Sequence, residues 1–263
     1  GTNLELVVTE NNSDAGQRQR QGHPCQIIAG IEQAAASGAT FQVLSPATEQ
    51  PMAAVARGSK VDVDRAVTAA REGFRQWSAL APSAREKVLL RAADIVETEG
   101  VQRFLDLLID ESGSVISKAR NEIRYTVDLL RTAAGEVRRL YGDTFPNDNP
   151  QRMSMVFREP LGVVAVVSPY NAPLSLLTKM SAFPLAAGNA VVIKPSEETP
   201  VVAVEYGKLL VEAGLPAAAI SVIPGFGAEC GAPLVEHDDI DAIALTGSTT
   251  TGMAIGAAAM QKM

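Results

Sequence analysis

From residue 161 onward, short strand-like runs alternate with helix-like runs, and this alternation leaves few folds open. Apolar stretches at 162–168, 190–194, 220–223 and 241–245 are separated by segments that read as helices. Their spacing suits successive βαβ units of about 30 residues or more each. The first two runs are apolar on both faces, as parallel strands covered by helices on either side should be. One helix opens at Thr199-Pro200, a cap with proline in the first turn, and closes at Gly214. Another, over 173–187, closes at Gly188, and Pro184 is expected to kink its last turn. The expected fold class is α/β: an open, doubly wound, Rossmann-like parallel sheet. Such sheets bind ligands at the carboxyl ends of their strands.

Residues 1–24 are polar and irregular and read as a mobile tail, with Cys25 at its end. Residues 25–60 read as short strands and turns, with turn chemistry at Ser45-Pro46-Ala47-Thr48. A helical segment that packs on the sheet follows. Asp62 is placed to cap its first helix, where Val63, Ala66, Val67, Ala70, Phe74 and Trp77 recur at helical spacing. Ser83 and Glu86 have capping-box spacing for a second helix. A third spans 101–111, and a fourth runs from about 115 to 141 with a core-facing stripe. A Pro- and Asn-rich break at 145–150 marks a boundary, and 153–158 reads as an extended strand. The expected organisation is a tail (1–24), strands and helical block (25–145), a bridging strand (146–160) and a dinucleotide-binding core (161–263).

Thirty acidic residues against 23 basic ones give a net charge of −7. A nucleic-acid groove needs clustered surplus cations, so no nucleic-acid partner is expected. Two cysteines are too few for a disulfide framework and imply a reducing compartment. The N-terminus lacks the cationic start and apolar core of a secretory signal. The apolar run at 161–167 is far too short to span a bilayer. The expected location is the cytoplasm, with no membrane contact.

Each strand-like run ends in residues with chemical potential. After the first comes Ser168-Pro169-Tyr170-Asn171-Ala172-Pro173. Its prolines stiffen the turn, and the Asn171 amide is a candidate donor to a developing oxyanion; spacing alone favours the plainer reading, in which Asn171 only stabilises the turn. After the second comes Lys194-Pro195-Ser196-Glu197. A Lys and a Glu three residues apart can grip vicinal ribose hydroxyls, or form an ordinary surface ion pair. After the third, Pro224-Gly225-Phe226-Gly227 lets a flat ligand approach the backbone, though it is not the G-x-G-x-x-G fingerprint. After the fourth, Thr246-Gly247-Ser248-Thr249 reads as a turn and helix cap, leaving first-turn N–H groups for an anion such as a pyrophosphate. Cys230 reads as a small buried residue and Cys25 as inert, while His237-Asp238-Asp239 reads as a turn; no metal is expected.

Taken in order, these segments, with Ala187-Gly188-Asn189 and Glu212-Ala213-Gly214-Leu215-Pro216 between them, resemble the aldehyde dehydrogenase superfamily. Ser45-Pro46-Ala47-Thr48, Trp77-Ser78-Ala79-Leu80 and Glu111-Ser112-Gly113 extend the resemblance over roughly residues 40–263. It implies NAD-dependent oxidation of an aldehyde to an acid through a Cys thioester, with NADP the alternative cofactor. It implies Asn171 in the oxyanion hole. Ser168, Pro169, Tyr170, Lys194, Ser196, Glu197, Gly227, Thr246, Gly247 and Ser248 would bind the cofactor, with Lys194 and Glu197 on the adenosine ribose. It makes the strand at 153–158 part of a bridging hairpin and the complete protein a homo-oligomer. The family's Glu-Leu-Gly-Gly segment and nucleophilic Cys context are not in this sequence, so the catalytic domain is expected to be absent and the chain inactive alone. Many members carry Lys where Met180 stands, one place after Lys179. Ala172, where many have an aromatic residue, suggests an aromatic aldehyde. Two further readings are a non-catalytic NAD-binding module and a fragment that associates with complete subunits.

Overall fold

The computed structural model describes residues 25–262. The expected tail at 1–24 lies outside them. Cys25, assigned to that tail, instead stands half-buried against the first strand.

The chain begins with β1 (Gln26–Ile28), β2 (Ile31–Gln33), β3 (Thr40–Leu44) and β4 (Pro51–Ala56). Four helices follow: α1 (Lys60–Ser78), α2 (Pro82–Glu97), α3 (Gly100–Asp110) and α4 (Ile116–Glu136). A hairpin of β5 (Asp143–Phe145) and β6 (Ser154–Val156) leads into the alternating half. That half contains β7 (Val163–Val167), α5 (Pro173–Ala186), β8 (Ala190–Lys194), α6 (Pro200–Glu212), β9 (Ile220–Val222), α7 (Ala232–Val235), β10 (Ala242–Leu245) and α8 (Thr249–Met260).

The main sheet has the order β10-β7-β8-β9-β1-β2. Its first four strands are parallel, as expected. β1 adds antiparallel to β9, and β2 closes that edge, so the sheet is mixed. The winding runs outward from β7 through β8 to β9, then returns to place β10 on β7's other side. This reversal opens a crevice at the strands' carboxyl ends. α5 and α6 pack side by side, whereas α7 packs against α1. α2 packs on α5 and α6, while α1 lies against α7 and across β7, β8 and β9.

Buried polar contacts join the helical block to the sheet. Asp62 accepts bonds from the Gln26 side chain and the Ala36 amide (2.9 Å), tying α1 to β1 and the segment after β2. Trp77 is fully buried and donates its indole N–H to the Leu185 carbonyl at 2.7 Å. Arg71 holds Asp241 (2.6 Å), which also accepts from the Val163 amide (2.7 Å) and so locks the start of β10 to β7.

Two local expectations are corrected. Asp62 is not the cap of α1: Ser59 is, and its amide donates to Asp62 at 3.0 Å. α2 starts at Pro82 after Ala81, so Ser83 lies inside the helix and forms no capping box with Glu86, which pairs with Arg138. The strand read at 153–158 is β6, which pairs antiparallel with β5. Pro184 does lie in the last turn of α5.

Gly73 allows α1 to approach the segment before β9. A Cβ there would stand 2.2 Å from the Ala218 carbonyl carbon. Ala normally gains about 1 kcal/mol over Gly inside a helix. Here backbone would have to move, so overpacking wins. Gly73→Ala is expected to destabilise the chain by about 1–3 kcal/mol in urea unfolding; an unchanged or raised midpoint would refute the close approach.

Candidate functional site

At the carboxyl ends of the parallel strands lies a cavity of about 650 Å³. Ser168, Pro169 and Tyr170 line it from the end of β7, Lys194, Ser196 and Glu197 from β8, Gly227 from the segment after β9, and Thr246, Gly247 and Ser248 from β10. All ten residues singled out for a dinucleotide thus face one space. Asn171 is not on its wall: it is exposed on the loop leading into α5.

Backbone hydrogen bonds prolong the ladders and hold these ends together. The Ser168 amide donates to Lys194 O (3.2 Å) and the Thr246 amide to Val167 O (3.2 Å). Lys194 is buried at 5% exposure, and its ammonium donates to Glu197 Oε2 at 3.0 Å. An ammonium has three N–H donors and a carboxylate accepts on both oxygens, so the pair keeps capacity for a diol. Burial works against the Glu197 charge, but a backbone hydrogen bond and Lys194 outweigh it and hold the carboxyl below its ordinary range. The sign follows: a lowered carboxylate stabilises the fold above its unfolded value and loses that contribution as pH falls through the folded one. The Lys194–Glu197 pair should therefore persist at neutral pH and open only below about 4.5, the ordinary Glu value.

The floor near Gly227 is a π-helical turn, Gly227–Gly231. Such turns are rare and cluster at functional sites. Arg57 stacks 5.0 Å above the Phe226 ring and binds Glu229, steadying the turn from outside. Gly225 has φ +153°, and a Cβ there would meet Cys230 Sγ at 2.8 Å. A Cβ on Gly227 meets nothing within 4 Å, so a side chain would project into open space beside the cavity. At β10, Ser248 accepts from the Thr251 amide (3.1 Å) and caps α8, as expected from sequence. The rest of the first turn of α8 lies at the cavity wall through Thr250 and Thr251.

Sequence reasoning missed the apolar wall. Ala254, Ile255 and Ala258 of α8 and Ala232 and Val235 of α7 line the cavity together. Helical spacing four apart in 250, 254 and 258 was the available signal. It also missed Glu198 and Glu236, which add acidic character to the rim. Met180, where the resemblance leads one to expect Lys, is buried, whereas Lys179 is exposed. His237 forms the expected turn, its Nδ1 accepting from the Asp239 amide (3.0 Å).

Cys230 is fully buried in the π-turn, and its thiol donates to the Phe226 carbonyl. Burial pushes its pKa up to about 12, with only partial relief from Lys194. The thiolate is the reactive form. Native protein treated with iodoacetamide at neutral pH should leave Cys230 unalkylated in peptide mass spectra, and denatured protein should not; rapid native labelling would overturn this placement.

A family model described as the aldehyde dehydrogenase family matches residues 33–263. A curated relative, the NADP/NAD-dependent aldehyde dehydrogenase PuuC of Escherichia coli (strain K12), is 40% identical over 228 residues, covering 86% of this chain and 46% of that protein. The crystal structure of a NAD-dependent benzaldehyde dehydrogenase from Corynebacterium glutamicum superposes with a TM-score of 0.87 at 35% identity, over 91% of this chain and 51% of that one. The crystal structure of PnpE in complex with nicotinamide adenine dinucleotide gives a TM-score of 0.88 at 35% identity, covering 92% of this chain and 49% of that one. The chain spans about half the length of the curated relatives it matches.

Proposed function

Because the chain belongs to the aldehyde dehydrogenase family, we propose that it supplies the cofactor-binding portion of an NAD-dependent enzyme that oxidises an aldehyde to a carboxylic acid. The observation that carries this reading is the single cavity to which four separate strand ends contribute. Bound NAD supplies a hydride acceptor. Glu197 and Lys194 grip the adenosine ribose, the carboxylate accepting from its hydroxyls. An ionised Glu197 also repels a 2′-phosphate, which favours NAD over NADP. The apolar faces of α7 and α8 enclose the adenine beside Gly227. The first turn of α8, with Gly247 and Ser248, receives the pyrophosphate, where helix N–H groups favour negative charge. Ser168, Pro169 and Tyr170 form the wall toward the nicotinamide.

Asn171, exposed and outside this cavity, is assigned to the substrate. Its amide donates to the oxyanion that develops at the aldehyde oxygen, and losing such a donor costs about 3 kcal/mol of transition-state stabilisation. Neither cysteine suits the nucleophile's role, so the chain alone is expected to be inactive. Domain assignments follow: helical block at 25–145, bridging hairpin to 160, dinucleotide core at 161–263. The exposed apolar residues of that hairpin, Phe145, Met155 and Phe157 among them, favour a subunit contact in a homo-oligomer. Ala172 leaves room beside Asn171 for an aromatic aldehyde. The reducing interior of the cell suits a chain with two unpaired thiols.

Calorimetric titration of NAD into the purified chain tests this. Saturable binding is expected, weakened about tenfold or more in Lys194→Ala and in Glu197→Ala. Equal affinity in both variants would remove the ribose clamp, and no binding to the folded wild type would defeat the nucleotide assignment. With NAD and benzaldehyde, the chain alone should produce no NADH absorbance; turnover would show that it holds a complete catalytic apparatus.

A further inference from the structure

Three loops at the cavity side run from a parallel strand into a helix, and the first turns of those helices are satisfied differently. At α8 the cap is local, Ser248 on its own helix. The residues in the cap position of α5 and α6, Ala172 and Thr199, make no side-chain cap bond. Carboxylates from the helical block arrive in their place. Glu122 of α4 accepts from the Leu174 and Ser175 amides at 2.9 and 3.1 Å. Glu111, at the end of α3, accepts from the Val201 and Val202 amides at 2.6 and 2.8 Å. Both are buried, at 6% and 2% exposure.

A buried carboxylate held by two amide donors has little freedom, and each donor would be left unsatisfied without it. Each contact lies a few residues past a site loop. Leu174 follows Asn171 by three positions, and Val201 follows Glu197 by four. We propose that Glu111 and Glu122 are positioning residues that reach across from the helical block, Glu111 for the Lys194–Glu197 ribose clamp and Glu122 for Asn171. The assignment of what they position rests on the function proposed above. The same contacts occupy first-turn amides of α5 and α6 with fixed anions, so α8 is the helix among these three left to receive a diffusible one.

The test uses the 263-residue chain with Glu111→Ala, Glu111→Gln and Glu122→Ala, read by NAD calorimetry, amide hydrogen exchange and thermal midpoint. Glu111→Ala should weaken NAD about tenfold, with partial recovery in Glu111→Gln, which keeps an acceptor. Glu122→Ala should leave NAD affinity within about twofold, because Asn171 is off the cavity wall. Exchange should rise at 195–202 in the first variant and at 171–175 in the second, and nowhere else. Equal loss of NAD affinity in both Ala variants, or exchange rising across the whole sheet, would make the caps merely structural and overturn the proposal. Should the wild-type chain fail to bind NAD, the nucleotide reading falls, and exchange alone decides: confined deprotection sustains the two positioning contacts and spread deprotection ends them.

Discussion

Val163–Val167 is hydrogen-bonded along both edges, to Ala190–Lys194 on one side and Ala242–Leu245 on the other, with all three strands parallel. Everything at the site depends on this pairing. Parallel alignment sends three strand ends to the same side. Reversal of the winding at β7 keeps the helices that follow β7 and β10 on opposite faces, so the space between those ends stays open. Buried apolar positions on both faces of β7 and β8 keep the register, because a slip by one residue would also misalign the ends by one residue.

The helical block contributes more than cover. Its contacts with the sheet are polar and buried at several points: Asp62 against β1, Trp77 against the end of α5, and Glu111 and Glu122 against the first turns of α6 and α5. Buried groups of this kind are costly when unpaired and directional when paired. They fix where the helices sit along the sheet, which apolar packing alone does loosely. The cavity stands where this scaffold stops, at loops anchored on both sides by strand and helix.

Much of the alternating half was legible. Parallel strands buried on both faces are apolar runs of fixed length, and a turn rich in Gly, Pro and Ser must follow each. That locates Lys194, Glu197, Gly227 and Ser248 without coordinates. Helix starts were less legible. Ser59 and Asp62 both have cap chemistry, and only the geometry of the chain entering α1 shows that Ser59 caps and Asp62 sits a turn inside. At α2 the start at Pro82 was legible from the proline, but Ser83 then lies inside the helix and cannot cap it. The three-residue strand Asp143–Phe145 is too short to show any period.

The sequence by itself determined the order of βαβ units, the residues at each strand end and the family they resemble, because these follow from local periodicity and turn chemistry. Only the tertiary structure decided that ten of those residues share one cavity while Asn171 stands apart, that α7 and α8 form the cavity's apolar wall, and that β1 joins the sheet antiparallel. It alone brings Glu111 to amides 90 residues away and Glu122 to amides 52 away. The reason is physical: such contacts depend on where one packed layer stops against another, and no local pattern encodes that distance.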